Sequence, residues 1–198
     1  MSVTPTRDRR SERHEATRAE ILEAAWELAR EQGLAGLSLR DLGRKVGMRA
    51  QSLYSYFDSK HAIYDALFRQ GNEQMLERRS HLDRTADPEA DLRRGGRQFV
   101  EFCVEDPARY QLLFQRTIPG FEPSAESYAL AVTVLEGAQE RFRALGVDDS
   151  AALDLWTALL TGLIDQQISN DPGGDRWVRL YDEAVDMFFD HVNKEKTR

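Results

Sequence analysis

Apolar residues recur along this chain at three- and four-residue spacing, and no segment sustains the period-2 alternation of a half-buried strand. The pattern predicts an all-α fold of about nine helices. The first opens at Thr17, which forms a capping box with Glu20. Ile21, Leu22, Ala25, Leu28 and Ala29 make its apolar stripe, and Gly33 ends it. Ser38 and Asp41 repeat the capping arrangement for a short second helix with Leu39, Leu42 and Val46 inward, closed at Gly47. A third short helix spans Ala50 to Tyr56, and a long fourth, about 59–82, carries Ile63, Tyr64, Leu67, Phe68 and Met75. Five more follow, about Pro88–Glu105, Pro107–Gln115, Ser124–Leu145, Ser150–Asn170 and Asp175–Lys194. Prolines punctuate their boundaries. Ile118-Pro119-Gly120-Phe121 reads as a turn with Gly120 at positive φ, and Gly95-Gly96 as a place where the fifth helix kinks.

The pattern divides the chain into a basic tail (1–14, expected disordered), a helix-turn-helix unit (15–60) and a helical body (61–198) joined by the fourth helix. The charged end Lys194–Arg198 is also expected to be disordered. Two short helices about a tight glycine turn cannot stand alone. They would pack on the first helix, with the second of the pair presented to a DNA major groove.

Charge sharpens this division. The 198 residues carry a net charge of −7, which taken whole argues against a polyanionic partner. Residues 1–60 nevertheless hold 11 Lys/Arg against 9 Asp/Glu, while residues 61–198 hold 16 against 25. Arg40, Arg44, Lys45, Arg49 and Lys60 concentrate in the helix-turn-helix segment. That asymmetry is either a nucleic-acid module on an acidic body or sampling noise, and charge alone does not separate the two. Cys103 is the single cysteine, which excludes an internal disulfide framework and multi-thiolate metal sites and fits a reducing compartment. No stretch is apolar enough to span a membrane, and the polar, Arg-rich start is unlike a secretory signal. Localisation is expected to be cytoplasmic, associated with the nucleoid.

Residues 17–68 resemble the N-terminal domain of the tetracycline-repressor (TetR) family. The resemblance is carried by Ile21-Leu22-x-Ala24-Ala25, Gly33, Ser38-Leu39-Arg40-Asp41-Leu42, Val46-Gly47, Leu53-Tyr54-x-Tyr56-Phe57 and Lys60, in that order and spacing. It implies roles for individual residues. Ser38 and Arg40 would meet phosphate at the start of the second helix. Gln51 and Ser52 would face base edges, while Tyr54, Tyr56 and Lys60 would hold the backbone. Leu53 and Phe57 read as core. Two departures stand out. Arg49 occupies the place of the usual Ser/Thr cap, and reads equally as a phosphate or guanine contact or as a solvated side chain. Leu42-Gly43 replaces the usual Ile-Ala. The tyrosine pair reads either as DNA contacts or as half-buried packing.

The body resembles a C-terminal domain found in a subset of that family through Pro107-x-x-Tyr110-x-x-x-Phe114 and Trp156-x-x-x-x-Thr161-Gly162-Leu163. In that subset a His-Gly pair follows the Trp. Thr161 stands for the His here, so no ligand role of that His transfers. Phe99, Cys103, Phe114, Phe121, Tyr128 and Trp156 lie on inward stripes and form a candidate ligand pocket, though each also reads as ordinary core. Asp165, Gln166 and Gln167 would line a cavity or a wet part of an interface. A wide apolar surface on the last helix (Trp177, Tyr181, Val185, Phe188) and the small pair Ala158 and Gly162 are expected at a homodimer interface.

No catalytic constellation, cofactor motif or metal site is expected. His61 and Asp65 share a face at i, i+4 but lack a third ligand. The reading is a homodimeric DNA-binding regulator, a ligand-responsive repressor that binds a palindromic double-stranded operator and an unknown small-molecule effector. The alternatives are an effector-independent DNA-binding dimer, and a helical enzyme or interaction module without DNA binding.

Overall fold

The computed structural model describes residues 9–196, and all the regular structure within them is helical. The helices are α1 (Arg9–Gln32), α2 (Leu39–Lys45), α3 (Lys60–Ser80), α4 (Pro88–Glu105), α5 (Pro107–Phe114), α6 (Ala125–Ala144), α7 (Ser150–Asn170) and α8 (Tyr181–Lys196). Short 3-10 helices cover Leu34–Gly36, Ala50–Ser55 and Val178–Leu180. No helix among the described residues is long and apolar enough to cross a membrane.

The expected helices are all present, with differences at their ends. Helix α1 begins at Arg9, so residues 9–14, expected in a disordered tail, are helical and Thr17 lies inside the helix. Residues 1–8 of that tail lie outside the described residues. The third helix is a 3-10 segment and not an α-helix. Its leading residue Arg49 makes no side-chain cap, as the missing Ser/Thr suggested. The last helix is preceded by a separate 3-10 turn and runs to Lys196, through part of the end expected to be disordered.

Local chemistry explains the boundaries. Ser38 accepts the N–H of Asp41, Ser59 that of Ala62, and Ser124 that of Ser127. Asp106 closes α4 and opens α5, accepting the N–H of Arg109, and Pro107 follows it at the first helical position. Gly47 takes φ 69° where α2 turns back, a conformation costly for any residue with a Cβ.

Two apolar cores result. The first joins Ile21, Ala25 and Leu28 of α1, Leu42, Leu53 and Phe57 of the helix-turn-helix, Ile63, Tyr64, Leu67 and Phe68 of α3, and Ala108 and Leu112 of α5. The second joins Met75 of α3 with α4, Tyr110, Phe142, and the aromatic cluster of Trp156, Phe188 and Phe189. Trp156 meets Phe188 at 5.0 Å and Phe142 at 6.1 Å between ring centroids, edge to face. Helices α3 and α5 belong to both cores. Polar ties reinforce them: Trp26 Nε1 donates to Gln70 Oε1 at 2.7 Å, and Arg30 pairs with Asp106 at 2.9 Å.

The Gly95-Gly96 pair does not interrupt α4, which is continuous from Pro88 to Glu105. Its purpose is close approach. A Cβ on Gly96 would stand 2.4 Å from the Tyr181 hydroxyl and 2.5 Å from Trp156 Cζ2. The Tyr181 hydroxyl passes over this gap to donate to the Arg93 carbonyl at 2.6 Å. Gly96→Ala is therefore expected to destabilise the protein by about 1–3 kcal/mol, despite alanine's better helix propensity. Thermal or denaturant unfolding checks this, and an equal or higher melting temperature would contradict it.

Candidate nucleic-acid interface and ligand cavity

The helix-turn-helix is held by contacts that leave one face bare. Leu42 and Leu53 are buried, and a Cβ on Gly43 would come within 2.8 Å of the Met48 carbonyl oxygen, so the departure from alanine suits a tight crossing. Opposite this packed side, Arg40, Arg49, Gln51, Ser52 and Tyr54 are exposed. Tyr54 is 52% exposed, which excludes the packing reading for that ring. Tyr56 is half-buried. Ser38 is occupied as a cap: its hydroxyl donates to Asp41 Oδ2 at 2.6 Å.

The five basic residues of this segment fall into two groups. Arg44 pairs with Asp41 at 2.6 Å, and Lys45 with Glu27 and Glu31 at 2.9 and 3.1 Å. Hydrogen bonds donated to these two glutamates hold the Lys45 ammonium above the usual lysine range, and the Ser38 hydroxyl followed by Arg44 holds Asp41 below the carboxylate range. Arg40, Arg49 and Lys60 have no carboxylate within ion-pair distance among the described residues. The charge that stays unneutralised therefore lies on the bare face.

Two contributors were not legible in the sequence: His14 lies before the expected start of α1, and Arg18, inside it, carries no local signal of its contact with Tyr56. His14 stacks on Tyr56, with ring centroids 4.7 Å apart and planes 25° apart. Arg18 donates to the Tyr56 carbonyl at 2.6 Å, and its guanidinium lies 4.1 Å from the centre of the Phe57 ring. The extended first helix thus buttresses the 3-10 segment from behind.

In the body, a cavity of about 240 Å³ lies between α3, α4, α5, α6 and α7. Phe99, Phe114 and Trp156 line it as expected. The other three expected pocket residues do not. Cys103 is fully buried in the second core, and burial pushes its thiol far up, leaving it a small apolar residue. Phe121 packs on Tyr64 and His61 near the first core, and Tyr128 is 56% exposed on α6. Met75, Leu92, Phe102 and Leu160, together with Arg78, Arg79 and Arg141, complete the walls. Arginines escaped sequence reasoning because they read as solvated faces.

The polar run of α7 serves structure. Asp165 accepts the Tyr110 hydroxyl and the Gln115 side-chain amide, each at 2.9 Å. Gln167, 3% exposed, accepts the N–H groups of Trp177 and Val178 and so anchors the turn into α8. Asp65 is likewise engaged: it accepts Ser124 N–H at 2.6 Å and the Ser127 hydroxyl at 2.9 Å.

The expected interface also needs correction. Tyr181, Val185 and Phe188 are buried within the subunit, because α8 folds onto α7 and α4. Trp177 is half-buried. Ala158 and Gly162 on α7 are exposed as expected, and the outward surface around them is made by Leu155 of α7, with Leu180 and Met187 beside α8, Met187 being 68% exposed.

Residues 21–67 match the model of bacterial regulatory proteins of the tetR family. The resemblance to this family covers the helix-turn-helix and the first part of α3. An HTH-type transcriptional regulator of Mycobacterium tuberculosis, Rv1816, is 28% identical to this chain over 133 residues, 66% of the chain and 57% of the relative. The chain thus spans well under two thirds of that curated relative's length. Among solved structures, the TetR family transcriptional regulator PfmR from Thermus thermophilus superposes with a TM-score of 0.63 at 22% identity, over 94% of this chain and 96% of its own. FadR from Bacillus subtilis, solved with stearoyl-CoA, gives 0.64 at 15% identity, over 86% and 96%. These likenesses support the fold.

Removing the buttress should loosen the reading segment. Arg18→Met, which keeps the aliphatic stem, is expected to lower stability by about 1–2 kcal/mol through the lost hydrogen bond and ring contact. Faster amide exchange at residues 50–57 should accompany it. Unchanged exchange there would show that Arg18 does not hold the segment.

Proposed function

We propose that this protein is a homodimeric, ligand-responsive transcriptional repressor of the TetR family that reads a palindromic operator. The observation that carries the DNA reading is the bare face of the helix-turn-helix. Three unneutralised cations, Arg40, Arg49 and Lys60, surround the exposed Gln51, Ser52 and Tyr54. Cations positioned this way neutralise phosphates, while short polar side chains between them reach base edges. Ser38, its hydroxyl committed to Asp41, contributes by fixing the start of α2. Tyr56, stacked on His14, can offer its hydroxyl to the backbone. The matched segment, 21–67, includes all of these residues except His14.

The outward stripe of Leu155, Ala158, Gly162, Leu180 and Met187 supports self-association. Two such faces about a two-fold axis would set two recognition segments on successive major grooves, about 34–36 Å apart. The cavity supports the effector reading over the effector-independent one. Its α3 wall, Met75 to Arg79, continues directly to Lys60 at the edge of the bare face. A ligand that prefers one α3 orientation would shift the population towards the geometry in which the two heads miss the operator. Two groups an enzyme reading would draw on are otherwise placed: Asp65 accepts the N–H of Ser124, and the Cys103 thiol is buried.

Gel shift and titration against DNA flanking the gene test the main reading. Lys60→Ala should weaken binding to all sequences alike and flatten the log–log salt slope by about 1 per half-site. An altered preference at one base position would reassign Lys60, and absence of salt-sensitive, sequence-preferring binding would remove the repressor reading. In sedimentation the protein should run at about twice 22.7 kDa. Beyond the adjacent residues and backbone of its own helix, a Cβ on Gly162 meets no atom within 4 Å among the described residues. Gly162→Arg should therefore shift the protein to monomer without unfolding it. A variant that remains fully dimeric would place the interface elsewhere.

A further inference from the structure

The cavity is apolar along most of its wall, with Leu92, Phe99, Phe102, Phe114, Trp156 and Leu160, yet Arg79 and Arg141 also face it. Each guanidinium makes a hydrogen bond to a backbone carbonyl: Arg79 Nη1 to Val134 at 2.6 Å, Arg141 Nη1 to Gly137 at 2.9 Å. Neither has a carboxylate within ion-pair distance among the described residues, and Arg141 Nε is buried with no partner at all. The acids whose fields reach them are already committed. Glu140 pairs with Arg84 at 2.5 Å, and Asp91 is taken by Arg94 and by the N–H and hydroxyl of Thr85. Arg78, by contrast, is neutralised on the outer side by Glu105.

The two charges also oppose each other. Burial first, then repulsion from Arg141 and Arg84, pulls Arg79 down to about 10, and burial likewise lowers Arg141. Both remain cationic at neutral pH. Desolvated charge without a counter-charge is costly to fold. The backbone makes room for it nonetheless: a Cβ on Gly137 would stand 2.9 Å from Arg79 Nη2, and one on Gly95 3.4 Å from Arg141 Nε. The hydroxyls of Thr157 and Thr161 are spent on carbonyls of their own helix, so head-group recognition falls to the arginines.

We infer that this cavity binds an amphipathic oxyanion, its carboxylate or phosphate head between Arg79 and Arg141 and its hydrocarbon or aromatic body against the rings of Phe99, Phe114 and Trp156. The inference rests on the cavity being the effector site, and it names the effector's chemical class. Charge-assisted hydrogen bonds from guanidinium to oxyanion would supply the missing counter-charge.

The test is calorimetric titration of the full chain with sodium octanoate, octyl phosphate and 1-octanol, which share one tail. Wild type should bind at least one of the two anions ten-fold or more tighter than the alcohol, and the better anion identifies the head. In the double variant Arg79→Met/Arg141→Met the anion preference should fall to parity while octanol affinity stays within about two-fold. The ligand-free double variant should melt no lower than wild type, because an uncompensated charge pair is gone. If the arginines were merely structural, melting would fall and the preference would persist. Parity between anion and alcohol in wild type, or no binding of either anion, would overturn the inference. Operator release is read separately. Anion binding without DNA release would defeat the effector reading and leave the site's chemistry intact, whereas release by octanol alone would do the reverse.

Discussion

Helix α3 is packed into two cores at once, and the rest of the architecture depends on that constraint. Its first half is fixed by Ile63, Tyr64, Leu67 and Phe68 against the helix-turn-helix, and its second half by Met75 against the body. A close-packed interior does not deform smoothly, so a helix gripped at both ends transmits displacement as a rigid lever. Arg30–Asp106 and Trp26–Gln70 bind α1 to the same frame. The bare face and the cavity are thus two ends of one mechanical element.

Much of the fold was legible in the hydrophobic pattern. Helices α4 and α5 begin where proline and a capping aspartate coincide, and Gly47 ends α2 as a positive-φ turn residue should. The start of α1 was missed because Arg9 to Glu15 carries no apolar stripe to mark it. That stretch is helical as an extension of a well-buried helix, with His14 docked on Tyr56. Periodicity also could not say which neighbour covers α8. Tyr181 packs over Gly96 and Phe188 against Trp156 within the subunit, Val185 is buried with them, and the glycine's missing Cβ leaves room for the approach of Tyr181 and Trp156.

The candidate site divides in the same way. Exposed polar residues of the reading segment follow from its local pattern, since each lies opposite Leu53 or Leu42. The pocket was only half legible: aromatics announce themselves, but Phe121, in the loop before α6, packs on Tyr64, and Tyr128 faces outward from α6. The charged part of the wall could not be read at all. Arg79 and Arg141 become informative only when the structure shows that neighbouring carboxylates are already engaged elsewhere.

The 3-10 geometry of Ala50–Ser55 has a consequence for modularity. Six residues in that conformation, uncapped at Arg49, have little intrinsic reason to persist. Their shape comes from Leu53 beneath, Gly43 beside and Arg18 behind. The segment's conformation is therefore a property of the scaffold that imposes it. The segment transplanted alone onto another helical protein would carry its letters without its conformation, so recoding such a regulator means moving the buttress together with the residues that face outward.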